Sequence, residues 1–79
     1  MRPFGYNFDM KEVGIFAERL KDLRIDKGLS LMQLSKEIGV SDITISRWEN
    51  QLRIPNIESL ILLAKYFNVT ADYLLGLED

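Results

Sequence analysis

The sequence predicts an all-α fold of five short helices packed into one small domain. Apolar residues recur every three or four positions through most of the chain, which is the period of a helix with one buried face. Serine, threonine or asparagine precedes four of these periodic stretches, and glycine or asparagine follows most of them, as expected of helix caps. A length of 79 residues allows one domain and no more.

The first helix is predicted over residues 13–27. Phe16, Leu20 and Leu23 recur at helical spacing, and Gly28 ends the pattern. Residues 1–12 are expected to form an arm in front of this domain, which then covers residues 13–79.

Within that arm, Phe4, Tyr6 and Phe8 alternate with other residues, a period of two that suits a short strand. Pro3 and Gly5 disfavour a helix there. The arm is expected either to be flexible or to pack on the domain or on a partner chain, and the sequence leaves both open.

The second helix is predicted to begin after Ser30, whose side chain forms a capping box with Gln33. Leu34 and Ile38 lie four residues apart on one face of this helix. Gly39 then interrupts the apolar period and can take the left-handed conformation of a tight turn. These features predict a short helix that ends in a sharp turn.

The third helix is predicted over residues 42–50, with Ser41 as its N-cap. Ile45 and Trp48 lie three residues apart and are expected to point inward. The outward positions are then Asp42, Ile43, Ser46 and Arg47. A helix pair joined by a short turn that contains glycine can place its second helix in a DNA major groove.

The remaining helices are predicted from the same signals. Asn56 caps a helix over residues 57–67, and Thr70 caps a last short helix that runs through Leu75 and ends at Gly76. Leu60, Leu63, Ala64 and Phe67 are expected to face the core.

Residues 15–76 resemble the Cro and phage-repressor family, the xenobiotic-response-element type of bacterial regulator. A small residue, Ser35, stands where the two helices of the pair pass closest, and Gly39 stands at the turn. The segments ISRWEN (45–50), PNIESL (55–60) and DYLLG (72–76) are typical of the family and occur in the family's order. The resemblance implies a repressor-like domain with a helix-turn-helix.

The resemblance also implies roles for individual residues. The base-facing positions are Asp42, Ile43, Thr44, Ser46 and Arg47. The phosphate-facing positions are Ser30, Gln33, Ser41, Asn50 and Arg53, the alternative for Arg53 being a solvated charge in the loop. A buried ion pair between Arg24 and Glu49 is expected to join the first helix to the end of the third helix (residues 42–50), which is the reading helix because it would contact the bases. The alternative is two solvated charges of little effect.

Three of the base-facing positions have two interpretations. Arg47 is expected to grip guanine O6 and N7, the alternative being a phosphate contact. Ile43 either touches a thymine methyl group or is stray surface hydrophobicity. Asp42 could accept from a cytosine amine, but favouring the helix N-terminus by its charge is the preferred interpretation.

Two positions depart from the family pattern. Many members carry glutamine where Leu31 stands, and that amide contacts a phosphate. The leucine side chain offers no hydrogen-bond donor. Either this phosphate contact is therefore missing, or Leu31 packs against Ile43 or a sugar. The family usually has glycine where Gln51 stands, so this glutamine must adopt a left-handed conformation or reach the turn differently.

The composition argues against several classes of protein. The chain has no cysteine and no histidine, so it lacks the commonest nucleophile, the commonest general base and the main zinc ligands. No enzyme activity and no cofactor or small-molecule site are expected. The longest apolar run, residues 60–64, is far too short to span a bilayer, and a cytoplasmic protein is expected.

The charge distribution leaves a second function open. The net charge is −2, but residues 28–55 sum to zero and residues 56–79 to −3, so the acid excess lies away from the reading helix. The expected function is sequence-specific DNA binding that represses transcription, by a homodimer on a near-palindromic operator. The alternative is a protein-interaction module, of antitoxin or anti-repressor type, that has lost its DNA face. Tyr73, Leu74 and Leu77 are expected either to pair with a second chain, as the family resemblance implies, or to close the core of a monomer.

Overall fold

A computed structural model describes residues 10–79 of the chain, with side chains from Val13 onward. It contains five α-helices: α1 (Met10–Asp26), α2 (Leu31–Ile38), α3 (Asp42–Glu49), α4 (Ile57–Phe67) and α5 (Ala71–Leu75). No strand occurs within residues 10–79. The predicted all-α fold of five helices is therefore confirmed, while the aromatic residues Phe4, Tyr6 and Phe8 lie outside the described residues.

Three helix boundaries differ from the sequence prediction, and the smallest difference is the end of α1 at Asp26 instead of Lys27. Helix α1 begins at Met10, three residues before the predicted start, because the apolar period first becomes visible at Val13 and a helix does not need that period to begin. Helix α3 ends at Glu49, and Asn50 is its C-cap instead of its last residue. Such differences of one turn or less are usual where helix ends are read from a pattern.

The predicted N-caps fix the starts of helices α2 to α5. In each cap the side chain accepts a hydrogen bond from the backbone N–H three residues later. The four capping residues are Ser30, Ser41, Asn56 and Thr70. Each such cap contributes about 1 kcal/mol, which matters for helices of only five to eleven residues.

The core takes one fully buried aliphatic side chain from every helix. These five side chains, each 0% exposed, are Leu20, Leu34, Ile45, Leu63 and Leu74. Phe16, Trp48 and Phe67 fill the space around them. Burying one such side chain stabilises the fold by about 1.5–3 kcal/mol, so every helix is held by the same cluster.

Packing between the helices exposes one side of α3. Helix α1 packs against α3 and α5, α2 packs against α3 and α4, and α4 packs against α5. Helix α3 thus rests on α1 and α2 through its inner face.

Within residues 10–79, no helix has both the length and the apolar character that crossing a membrane requires.

Candidate nucleic-acid interface

The outer face of α3 is free of contacts with the other helices. Ile45 is 0% exposed and Trp48 is 2% exposed, so both side chains point into the core, as predicted. Ile43 is 60% exposed on the opposite side, and Arg47 is also exposed. The orientation of α3 therefore leaves an isoleucine and a guanidinium available to a large ligand.

The first turn of α3 is ordered by its own polar side chains. Ser41 Oγ accepts from the backbone N–H of Thr44 at 3.1 Å and lies 2.8 Å from Thr44 Oγ1. The carboxylate of Asp42 accepts from the N–H of Ile43 at 3.0 Å. This contact favours the interpretation of Asp42 as a residue that stabilises the helix N-terminus.

The last turn of α3 binds the amide of Asn50. Asn50 Nδ2 donates to the Ser46 carbonyl at 2.8 Å and to Ser46 Oγ at 3.2 Å. Both side chains are therefore held against the helix. The carbonyl oxygen of the Asn50 side chain is an acceptor and cannot bind a phosphate oxygen. A phosphate contact would therefore have to share or replace the hydrogen bonds that Asn50 Nδ2 donates to Ser46.

A left-handed glutamine ends α3. Gln51 has φ 62°, and its N–H donates to the Trp48 carbonyl while the N–H of Leu52 donates to the Arg47 carbonyl at 2.8 Å. This pair of bonds is the Schellman arrangement that glycine usually supplies. Of the two routes left open by the sequence, Gln51 thus takes the left-handed one, and its amide packs beside Gly14 of α1.

A two-pronged ion pair joins α1 to the end of α3. Arg24 Nε donates to Glu49 Oε2 at 2.7 Å, and Arg24 Nη2 donates to Glu49 Oε1 at 2.9 Å. Arg24 Nη1 also donates to the Leu29 carbonyl at 2.8 Å. The two side chains are only 12% and 5% exposed, so this is not a solvated surface pair.

The same pair perturbs the ionisation of Arg24. Its hydrogen bond to Glu49 raises the pKa of the guanidinium, which outweighs the opposing effect of burial. The guanidinium of Arg24 therefore stays charged at any pH of interest. The planar geometry of the pair fixes the direction in which the last turn of α3 points.

The start of α2 carries the predicted capping box. Ser30 Oγ accepts from the N–H of Gln33 at 3.0 Å, and Gln33 Oε1 accepts from the N–H of Ser30 at 2.8 Å. The remaining N–H groups of the first helical turn have no partner within α2, which is the usual setting for an anion. Leu31 is half-buried and packs on the core, so it supplies no donor beside this turn.

Arg53 lies beside the reading helix, in the loop before α4. It lines a shallow cleft of about 200 Å³ together with Thr44 and Trp48 of α3 and the first turn of α4. Arg53 is exposed, and within residues 13–79 the ion pair of Arg24 is the only salt bridge. Arg47 on α3 and Arg53 in the loop that follows it are therefore two exposed cations, available to phosphate or base atoms.

Arg19 has a role that sequence reasoning missed. It donates to the Tyr73 carbonyl at 2.5 Å and to the Glu78 carbonyl at 2.6 Å, and its guanidinium lies 4.2 Å from the centre of the Tyr73 ring. This places α1 against the C-terminal residues. No sequence signal marks it, because the contact joins residues more than fifty positions apart.

The burial of the C-terminal residues bears on the two interpretations of Tyr73, Leu74 and Leu77. Leu74 is 0% exposed and belongs to the core of the domain, so it cannot pair with a second chain. Tyr73 is half-buried beneath Arg19, and only Leu77 of the three proposed residues is largely exposed, at 68%. Leu74 thus closes the core, and the sequence left this open because a short terminal helix shows too few residues to reveal which face is buried.

Comparison with known proteins identifies the family. A family model described as helix-turn-helix matches residues 20–74, most of the chain. The chain belongs to this helix-turn-helix family. Among curated proteins it is 44% identical over 64 residues to the HTH-type transcriptional activator BcrR of Enterococcus faecalis, an alignment that covers 81% of this chain and 31% of BcrR.

Solved structures agree with this assignment. The chain superimposes with a TM-score of 0.74 and 35% identity on the c2 repressor of Salmonella phage P22 in complex with a synthetic operator, covering 80% of this chain and 96% of that one. It matches a LexA SOS-response repressor from Eubacterium rectale with a TM-score of 0.78 and 32% identity, covering 87% and 71% of the two chains.

The relatives are longer than this chain. It spans between 28% and 58% of the length of the curated relatives that it matches. The shared part is the helix-turn-helix unit, and the relatives are named as transcriptional regulators. The alternative of an interaction module without a DNA face is not favoured by these likenesses.

Proposed function

We propose that this chain is a sequence-specific DNA-binding transcriptional regulator of the repressor type. It inserts α3 into the major groove of an operator and acts as a homodimer on a near-palindromic site. The observation that carries the proposal is the orientation of α3, whose inner side is core and whose outer side presents Ile43 and Arg47. The similarity to a phage repressor solved on its operator supports the same conclusion.

Base reading is assigned to the outer face of α3. A guanidinium can form two hydrogen bonds with guanine O6 and N7, and Arg47 has no ion pair within residues 13–79 that would compete for it. The exposed side chain of Ile43 suits a thymine methyl group, which would cover its apolar surface. Thr44 and Ser46 are proposed to contribute at the edge of this face, while Asp42 orders the helix start.

Phosphate binding is assigned to the groups around α3. The free N–H groups behind the capping box of Ser30 and Gln33 suit one phosphate, and Arg53 suits another. Ser41 and Asn50 stand at the two ends of the helix, where their side chains can share their bonds with a phosphate oxygen. These contacts are proposed to set the position of α3 in the groove and to carry no sequence information.

Binding to DNA of random sequence separates the proposal from the interaction-module alternative. Fluorescence anisotropy of a labelled random duplex, measured across a salt series, should give an affinity that falls steeply as salt rises, because counterions leave the phosphates on binding. A low affinity that does not change with salt would instead support the interaction module. Because the net charge is −2, the random-sequence affinity is expected to be weak even at low salt.

The role of Arg47 is tested on a cognate operator. Arg47→Ala should cost about 1–3 kcal/mol of binding free energy and relax specificity at one base pair of the half-site. Lys21→Ala is the matched control, because it removes one exposed positive charge from α1 and leaves α3 unchanged. An equal loss for both variants would assign Arg47 to general charge attraction and not to base reading.

A further inference from the structure

Gly14 of α1 is a glycine that the fold of the domain does not explain. It lies inside a helix, where glycine is less favourable than alanine because it loses more conformational freedom on folding. Its φ is not in the left-handed region, unlike that of Gly28, Gly39 and Gly76. A Cβ added at this position would meet its nearest atom among the described residues, Oε1 of Gln51, at 3.6 Å, which is ordinary van der Waals contact. A glycine of this kind suits a place where another segment passes close to the helix backbone.

Two exposed leucines lie near the start of α1. Leu52 is 75% exposed and follows Gln51, whose amide lies beside the helix glycine. Leu77 is 68% exposed and follows Gly76, which lies against the side chain of Ile15. Large apolar side chains gathered around one part of a small domain indicate a surface that another segment or molecule covers. This surface is called the entry surface, and its residues are Gly14, Ile15, Leu52 and Leu77.

The strip of α1 within the entry surface faces solvent. At 100° per residue, Glu18 lies between Gly14 and Ile15 around the helix axis, and Glu18 is exposed. Val13 and Phe16 are buried on the opposite side, at 5% and 3% exposure. A segment can therefore cross the helix at Gly14 without displacing the core.

The N-terminal segment, residues 1–9, is close enough to occupy the entry surface. It precedes Met10, the first residue of α1, and lies outside the described residues. Gly14 is four helical positions beyond Met10, about 6 Å along the axis. Nine residues in extended form reach up to about 30 Å, so a segment that turns back at Met10 spans the entry surface with residues to spare.

The side chains of the N-terminal segment match an apolar surface. Phe4, Tyr6 and Phe8 alternate with Gly5 and Asn7. In an extended conformation, alternate residues share one side, so the three rings lie together and the smaller residues lie opposite. Each ring buries about 150–250 Å² when it is covered. Three rings on one side are enough to cover a surface that is bounded by two leucines.

We propose that residues 1–9 fold back onto their own domain and pack their three aromatic rings on the entry surface. The packed segment joins the start of α1 to the ends of α3 and α5 and shields the two leucines from water. The glycine in α1 lets the segment approach the helix backbone closely. This inference is independent of the proposed function, because it requires no DNA.

Tethering favours the chain's own segment over that of a second copy. The segment is joined to α1 within a few residues of the surface, so its effective concentration there is on the order of millimolar. The segment of another molecule would be present only at the concentration of the protein. Packing within one chain therefore predominates in dilute solution.

Methyl resonances of the full chain test the packing directly. In the wild type, the methyl groups of Leu52 and Leu77 should give nuclear Overhauser effects to the aromatic rings of residues 4–8 and should show ring-current shifts. The variant Phe4→Ser/Tyr6→Ser/Phe8→Ser should lose both. If neither leucine contacts the rings in the wild type, the proposal is wrong. Ring-current shifts that grow with protein concentration would assign the segment to a second chain and would also overturn it.

Two controls make this result specific. Asn7→Ala changes the opposite side of the alternating segment and should keep the shifts of both leucines. The methyl groups of Ile25, which is 54% exposed near the other end of α1, should have the same resonance positions in the wild type and in the triple variant. Equal changes at Ile25 and at the two leucines would reflect a general effect on the domain and would contradict local packing.

Gly14→Ala tests the close passage over α1 by denaturant unfolding. In the triple variant this substitution should raise the unfolding midpoint, because alanine favours the helix and the space for a methyl group is open. In the wild type the gain should be smaller or reversed, since the added methyl group separates the segment from the helix backbone. An equal gain in the two backgrounds would overturn the passage of the segment over Gly14.

Discussion

The ion pair between Arg24 and Glu49 gives a sharp test of how the reading helix is held. Both side chains are nearly buried, at 12% and 5% exposure, and Arg24 also supplies the hydrogen bond to the Leu29 carbonyl. Arg24→Met keeps most of the side-chain volume and removes the charge. The carboxylate of Glu49 would then be buried without a partner.

The expected loss follows from that burial. Removing one partner of a buried pair costs about 3–5 kcal/mol, because the other charge stays desolvated and unpaired. In a domain of this size a loss of that order lowers Tm by more than about 12 °C. Glu49→Met should give a loss in the same range, and both are measured by thermal and denaturant unfolding monitored by circular dichroism.

The double variant Arg24→Met/Glu49→Met completes a mutant cycle. Since it leaves no unpaired charge, it should be more stable than the sum of the single losses predicts, by well over 1 kcal/mol. Single losses below about 1 kcal/mol that add in the double variant would be the behaviour of a solvated surface pair. That result would refute the structural role assigned to this ion pair.

Three further predictions concern stability and are measured by denaturant unfolding. Trp48→Ala should cost about 3–5 kcal/mol, since the ring is 2% exposed, and an unchanged midpoint would mean that α3 is rotated. Gln51→Gly should stabilise the domain by about 1 kcal/mol, because glycine adopts the left-handed conformation at this position without strain. A clear loss of stability would contradict this and would show that the contact between the Gln51 amide and Gly14 contributes more than the strain costs. Gly76→Ala should cost at least about 1–2 kcal/mol, because φ at residue 76 is +79° and the added Cβ would lie 2.8 Å from Ile15 Cγ2. A neutral result would show that the last turn is loosely held.

The local signals in the sequence were sufficient for the fold. Caps and apolar periods are written into neighbouring residues, so Ser30, Ser41, Asn56 and Thr70 mark helix starts that the structure reproduces. The inward direction of Trp48 followed from the same period. These features depend on contacts within a helix or across one turn, which a sequence displays directly.

The contacts between distant segments were not accessible in the same way. The bonds from Arg19 to the C-terminal residues and the burial of Leu74 depend on how α1 meets α5. The apolar character of Ile57 and Ile61 was visible in the sequence, but whether they faced the core or solvent depended on the packing of α4. The pair between Arg24 and Glu49 was expected only because the family resemblance indicated it.

Determining the operator sequence is the most direct test of whether the outer face of α3 reads DNA. Selection of bound sequences from a random duplex pool, with the wild type and with Arg47→Ala, reads DNA binding, symmetry and base reading together. The wild type is expected to enrich an inverted repeat whose half-site centres lie about one helical turn, roughly 34 Å, apart. Arg47→Ala is expected to lose the preference at one base pair in each half-site. A pool that shows no enrichment, or an unchanged motif for Arg47→Ala, would contradict the claim that the outer face of α3 reads DNA.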